Sequence, residues 1–149
     1  MSIWTHAAGV IRLDFINPEE YGLAGEEYAI KKLLGKEFSY DDIDRALLKD
    51  LKAHPEDYLP FGSEGSLRHT IFKNPNRSGN VTSLPMWTIV IGGDLRDYDT
   101  PEKIVEWFKK TCKKLKYVRD ATVVAREDLN NKVVSWCAQD TWAAGDDLS

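Results

Sequence analysis

Met86-Trp87-Thr88-Ile89-Val90-Ile91-Gly92-Gly93-Asp94-Leu95-Arg96-Asp97-Tyr98-Asp99-Thr100-Pro101 is the stretch that decides the fold. Its first six residues are almost continuously apolar, the pattern of a mid-sheet strand covered on both faces. Gly92 to Asp97, at the end of that strand, are predicted to lead the chain into a helix. Thr100 stands at the cap, Pro101 has its torsion preset for the first helical position, and Glu102 favours the positive end of the helix dipole. Beyond it, Ile104, Trp107, Phe108, Thr111, Cys112 and Leu115 recur at helical spacing on one stripe, with Lys103, Glu106, Lys109, Lys110, Lys113 and Lys116 opposite. Such a helix must lie back on a sheet.

Downstream, Tyr117 to Arg126 and Lys132 to Ala138 read as two strands joined by the tight turn Asp128-Leu129-Asn130-Asn131. Upstream, Ser66 to Lys73 alternates like a half-buried strand, followed by the polar hairpin loop Asn74-Pro75-Asn76-Arg77-Ser78-Gly79-Asn80. The turn segment Pro60-Phe61-Gly62-Ser63-Glu64-Gly65 precedes that strand. Two helices are predicted further back, one from Ala24 to Leu34 stopped by Gly35, the other capped by Ser39 and ending at His54-Pro55. Ile3 to Leu13 is β-branched and aromatic, a long first strand. The order strand, helices, strand, strand, helix, strand predicts an α+β fold: a ferredoxin-like split β-α-β antiparallel sheet, strand order 4-1-3-2, with an inserted helix and an extra C-terminal hairpin strand. Residues 1–138 form one domain on this reading, and 139–149 an acidic C-terminal tail.

The chain has 149 residues, 42% hydrophobic and 30% charged, which suits one packed domain. Its net charge of −4 comes from 24 acidic and 20 basic side chains that are interspersed, so a nucleic-acid partner is disfavoured. No leader pattern and no bilayer-length apolar run are seen, which predicts a cytoplasmic protein without membrane contact. Cys112 and Cys137 read as reduced core thiols, and the sequons at Asn76 and Asn80 as irrelevant without secretion.

In the predicted sheet, the start of the first strand, the start of the second and the end of the third fall at one end. This gathers Trp4, His6, Ser63, Glu64, Arg68, Asp94, Arg96 and Asp97 as candidate ligand- or partner-binding residues. The first turn of the Thr100 helix is expected there too, offering amides to an anion beside His6, Arg68 and Arg96, while the glycines at 62, 65, 92 and 93 would let backbone approach a ligand. Each residue also has a structural reading: glycines serve turns, and the aspartates serve the helix start. Asp94, Asp97 and Asp99 lack the fuller ligand ladder of a calcium loop, and the three histidines have no metal spacing, so neither a metal nor a cofactor is expected. Gly62-Ser63-Glu64-Gly65 fits neither a phosphate loop nor a nucleophile elbow. Acid–base chemistry would need His6 or His69 within reach of Glu64.

Trp4-Thr5-His6, Gly62-Ser63-Glu64-Gly65 and Gly93-Asp94-Leu95-Arg96-Asp97 resemble motifs of a family of small phage- or prophage-encoded proteins of unassigned role. The resemblance covers about a tenth of the chain. It implies a phage setting, in which small proteins often bind host factors or sequester signalling molecules. The function expected on this basis is a non-enzymatic binding protein, an accessory factor that binds or inhibits a host component such as one of defence. The alternatives are a binder of a nucleotide or other anionic small molecule, and a small enzyme with His/Glu acid–base chemistry. A homodimer through an edge strand, Ser66 to Lys73 or Lys132 to Ala138, is a further expectation.

Overall fold

The computed structural model describes residues 2–74 and 86–139. The chain is α+β, with strands β1 (Trp4–Leu13), β2 (Arg68–Lys73), β3 (Trp87–Arg96), β4 (Val118–Glu127) and β5 (Lys132–Gln139) and helices α1 (Glu26–Leu34), α2 (Arg45–Ala53) and α3 (Pro101–Leu115). The strands form one sheet in the order β2-β3-β1-β4-β5, antiparallel at every junction. Counted from β4 towards β2, the first four strands run 4-1-3-2, and β5 lies outside β4. Among the described residues no helix is long and apolar enough to cross a membrane.

Strand alternation and one helical stripe together make the core. Ile11 and Leu13 of β1, Ile89 and Leu95 of β3, and Ala125 of β4 are buried against Ile104, Phe108, Cys112 and Leu115 of α3. Burial pushes the Cys112 thiol up to about 12, so it is a packing group. Phe108 reaches the middle of β1 because Gly9 leaves it room; a Cβ at Gly9 would stand 2.8 Å from the Phe108 ring. A second, smaller cluster of Phe38, Leu51 and Tyr58, with Tyr40, Ile43, Leu47 and Phe61 against it, holds α2.

Several expectations change. β3 lies mid-sheet but is covered on one face only: Trp87, Ile89, Ile91 and Leu95 are buried, whereas Val90 is 41% exposed. Phe72, Val124 and Val133 share the open face and are exposed as well. α1 and α3 pack on the other side, so the apolar run of β3 does not signify two covered faces. The end of β3 runs through Gly92 and Gly93 to Arg96, and these residues pair with β1 in the register Ala8↔Gly92 to Trp4↔Arg96. The second helix begins at Asp44, whose carboxylate accepts from the Leu47 amide at 2.8 Å, while Ser39 opens a separate 3-10 turn over Tyr40–Asp42. Thr100 occupies the cap position of α3 without a side-chain bond to its amides. Cys137 is exposed. The hairpin loop from Pro75 to Asn80, its sequons, Trp142 and residues 140–149 of the predicted tail lie outside the described residues.

Candidate functional site

The Gly62-Ser63-Glu64-Gly65 turn is bolted to the end of β3. Ser63 donates its amide to the Arg96 carbonyl at 2.8 Å, Arg96 donates back to the Glu64 carbonyl at 2.9 Å, and Gly62 donates to Gly65 at 3.0 Å. Backbone touches backbone here. A Cβ at Gly65, where φ is +75°, would stand 2.0 Å from the Asp94 carbonyl oxygen, and one at Gly62 would stand 2.2 Å from that of Arg96. These glycines therefore serve turn-to-strand packing rather than approach to a ligand. Gly92 differs, since its added Cβ would meet nothing closer than the Ala7 oxygen at 3.4 Å.

Arg96 belongs to the same lock. Its guanidinium donates to Glu64 at 2.5 Å and to the Ser2 hydroxyl at 2.7 Å, and lies 3.7 Å from Asp97. Asp97 accepts from the Ile3 amide at 3.0 Å and faces Ser63 at 3.3 Å. Glu64 and Asp97 thus offset the charge of Arg96, and Ser63 bonds into the same turn, so the Arg96 guanidinium is engaged within the fold. His6 and His69 bond other carboxylates, so the required partnership with Glu64 is absent among the described residues.

The remaining candidates converge. Trp4, Arg68 and Asp94 line a cleft of about 380 Å³ with Phe38, Ser39, Tyr40, Ser66 and the backbone of Gly65, Gly92 and Gly93. Its walls are aromatic, and Arg68 makes no ion pair among the described residues. Register places Arg68 opposite Gly92, so Arg68 and Asp94 stand diagonally on adjacent strands, about 7–8 Å apart at the backbone. Tyr40 donates its hydroxyl to the Gly62 carbonyl, and burial, then the Glu64 charge, pushes its pKa up. The first turn of α3 is not among the lining residues. Its Glu102 pairs with Lys132 at 2.7 Å.

Behind Asp94 stands His6. Its Nδ1 lies 2.6 Å from the Asp94 carboxylate and its Nε2 2.9 Å from that of Asp128, at the start of the β4–β5 turn. The bond to Asp94, then that to Asp128, raises the imidazole pKa above its ordinary value. The same His6 bond is the first cause lowering that of Asp128, which also accepts from Arg126 at 2.7 Å.

A larger hollow, about 600 Å³, lies between α1 and the β2 edge. Three of its basic side chains face carboxylates: Lys31 stands 3.6 Å from Glu27, Lys36 3.8 Å from Asp50, and His69 3.4 Å from Glu37. The cleft at Asp94 is the stronger candidate because its opposite charges are not paired with each other. Sequence reasoning passed over Phe38, Ser39, Tyr40 and Asp128. The first three sit in a linker that reads as helix start, and Asp128 in a turn whose composition explains it without function.

No family profile and no curated protein matches the sequence. A phage SAM lyase in complex with S-methyl-5'-thioadenosine is similar over 93% of this chain and 92% of its own, at 11% identity and a TM-score of 0.41. Against the expectation of a non-enzymatic binding factor, the similar structure is that of an enzyme, and that expectation is not carried further. At this level of similarity no residue role and no substrate passes to this chain.

Proposed function

We propose that the cleft is an active site for a small nucleoside-type molecule bearing an amino-acid-like zwitterion, with Asp94 as the group that accepts a proton. The observation that carries this reading is the diagonal placement of Arg68 and Asp94 across Gly92. A carboxylate on the ligand meets the guanidinium of Arg68, an ammonium or other cationic centre meets Asp94, and the missing side chain at Gly92 leaves the space between them. Trp4, Phe38 and Tyr40 offer aromatic surface to a flat heterocycle, and the Ser39 and Ser66 hydroxyls offer neutral polar contacts. Burial pushes the Tyr40 phenol further up, so it stays protonated at neutral pH, and Arg68 is taken by the ligand carboxylate. Asp94 is left as the proton acceptor, positioned by His6.

The fold reading that accompanies this is a ferredoxin-like split β-α-β sheet with an added hairpin strand, and a phage setting is kept from the three motifs. The experiment uses two probes, S-adenosylmethionine, which is cationic and zwitterionic, and S-methyl-5'-thioadenosine, which is neutral. Calorimetry should show binding of the first and its weakening by about tenfold or more in R68A and D94N, a charged contact apiece. Mass spectrometry of the incubated mixture should show product with wild type and none with D94N. Absence of both binding and turnover in correctly folded wild-type protein would sink the proposal.

A further inference from the structure

Two carboxylates on the two nitrogens of one imidazole make an arrangement that only the protonated ring satisfies. A neutral imidazole has a single N–H, so of the contacts at 2.6 Å to Asp94 and 2.9 Å to Asp128 only one can then remain a donated bond. The partners differ in what they have to fall back on. Asp128 keeps Arg126 at 2.7 Å and its own amide bond to the Trp4 carbonyl at 3.0 Å, whereas Asp94 has no other side-chain partner among the described residues. Losing the bond on the Asp128 side costs less, so the proton leaves from Nε2 and Nδ1–H stays on Asp94. Asp128 borders a hollow of about 230 Å³ with Ser2, Ile3 and Leu129, which gives water a route to that side.

We propose that His6 is a proton-controlled positioning residue: it holds Asp94 in place in both of its charge states while changing the net charge beside the cleft. The groups facing it are few. β3 presents Asp94 and Arg96, the latter neutralised by Glu64; β4 and its turn present Arg126 and Asp128; β2 presents Arg68 beyond Gly92. With His6 protonated, the two carboxylates face an imidazolium and the guanidiniums of Arg126 and Arg68. Loss of the proton lowers the charge at the edge of the cleft by one unit, and a cationic ligand is held more tightly. The chain itself does not open, because the turn stays bonded through Asp128 to Trp4.

The latch is tested on the ligand-free full chain by long-range proton–nitrogen NMR of the His6 ring from about pH 5 to pH 9, with H6Q assigning the resonance. The expected result is a midpoint above that of an ordinary histidine, lowered by D94N and by D128N, and a neutral form protonated at Nδ1. A neutral form protonated at Nε2, or a midpoint indifferent to both substitutions, would overturn it. The effect on ligand rests on the proposed function and is read separately. S-adenosylmethionine should bind more tightly as pH rises through that midpoint, S-methyl-5'-thioadenosine should not, and H6Q should remove the difference. Should neither probe bind while the ring titrates as described, the ligand reading fails and the latch stands; an unchanged pH dependence in H6Q overturns the coupling.

Discussion

The two faces of the sheet are built from the same strands and do opposite things. On the face under α3, Ile11, Leu13, Ile89, Leu95 and Phe108 are fully buried or nearly so, and shape complementarity is tight enough that β1 carries a glycine for a ring to fit. On the open face, Phe72, Val90, Val124 and Val133 stay exposed, and the side chains that interact do so through charge: His6 with Asp94 and Asp128, Arg12 with Asp120 at 2.9 Å. The difference teaches that stability and chemistry are divided by strand alternation. A residue and its neighbour in sequence answer to different constraints, packing for one and electrostatics for the other.

The comparison can be broken most forcefully at Phe108. Truncation to Ala removes a fully buried ring and should cost about 3–5 kcal/mol, read as a fall in the urea midpoint. A loss under about 1 kcal/mol would mean that the covered face is not the core. Two matched glycine substitutions then sharpen it. G9A pushes a methyl group into the Phe108 ring on the covered face and should cost roughly 1–3 kcal/mol by overpacking. G92A places the same group on the open face, where the nearest atom is 3.4 Å away, and should leave stability unchanged to within about 0.5 kcal/mol. Its effect should appear instead in the cleft, as weaker binding of S-adenosylmethionine. Equal destabilisation by the two would erase the distinction between the faces.

Much of the architecture was legible because it rests on periodicity. The α3 stripe, the alternation in β1 and the apolar start of β3 are set by which side chains must leave water, and the element order follows from them. Boundaries read less well. Asp44 and Ser39 are both competent caps, and the choice fell to Asp44 because Phe38 and Tyr40 are drawn into the small aromatic cluster, which holds the preceding segment in a 3-10 turn. The glycines of β3 look like a loop in sequence, yet Gly93 lies against the backbone of Ser66, where a Cβ would stand 2.5 Å from its carbonyl oxygen.

The candidate site divides in the same way. Trp4, His6, Arg68 and Asp94 could be named from the sequence because strand polarity brings the ends of β1, β2 and β3 together. Which of the charged residues are spoken for could not. Arg96 and Arg68 look equivalent as letters, but Arg96 faces Glu64, Ser2 and Asp97 across a tight turn, while Arg68 projects beside a glycine.

The sequence by itself determined a single α+β sheet with one amphipathic helix laid on it, because hydrophobic spacing is a local property of the chain. Only the tertiary structure decided which sheet face stays open, which of Arg68 and Arg96 makes no ion pair among the described residues, and that Asp128 closes on His6 from 122 residues away. Pairing between charges depends on distances of a few ångströms between distant segments, and those are fixed by register and packing rather than by spacing along the chain.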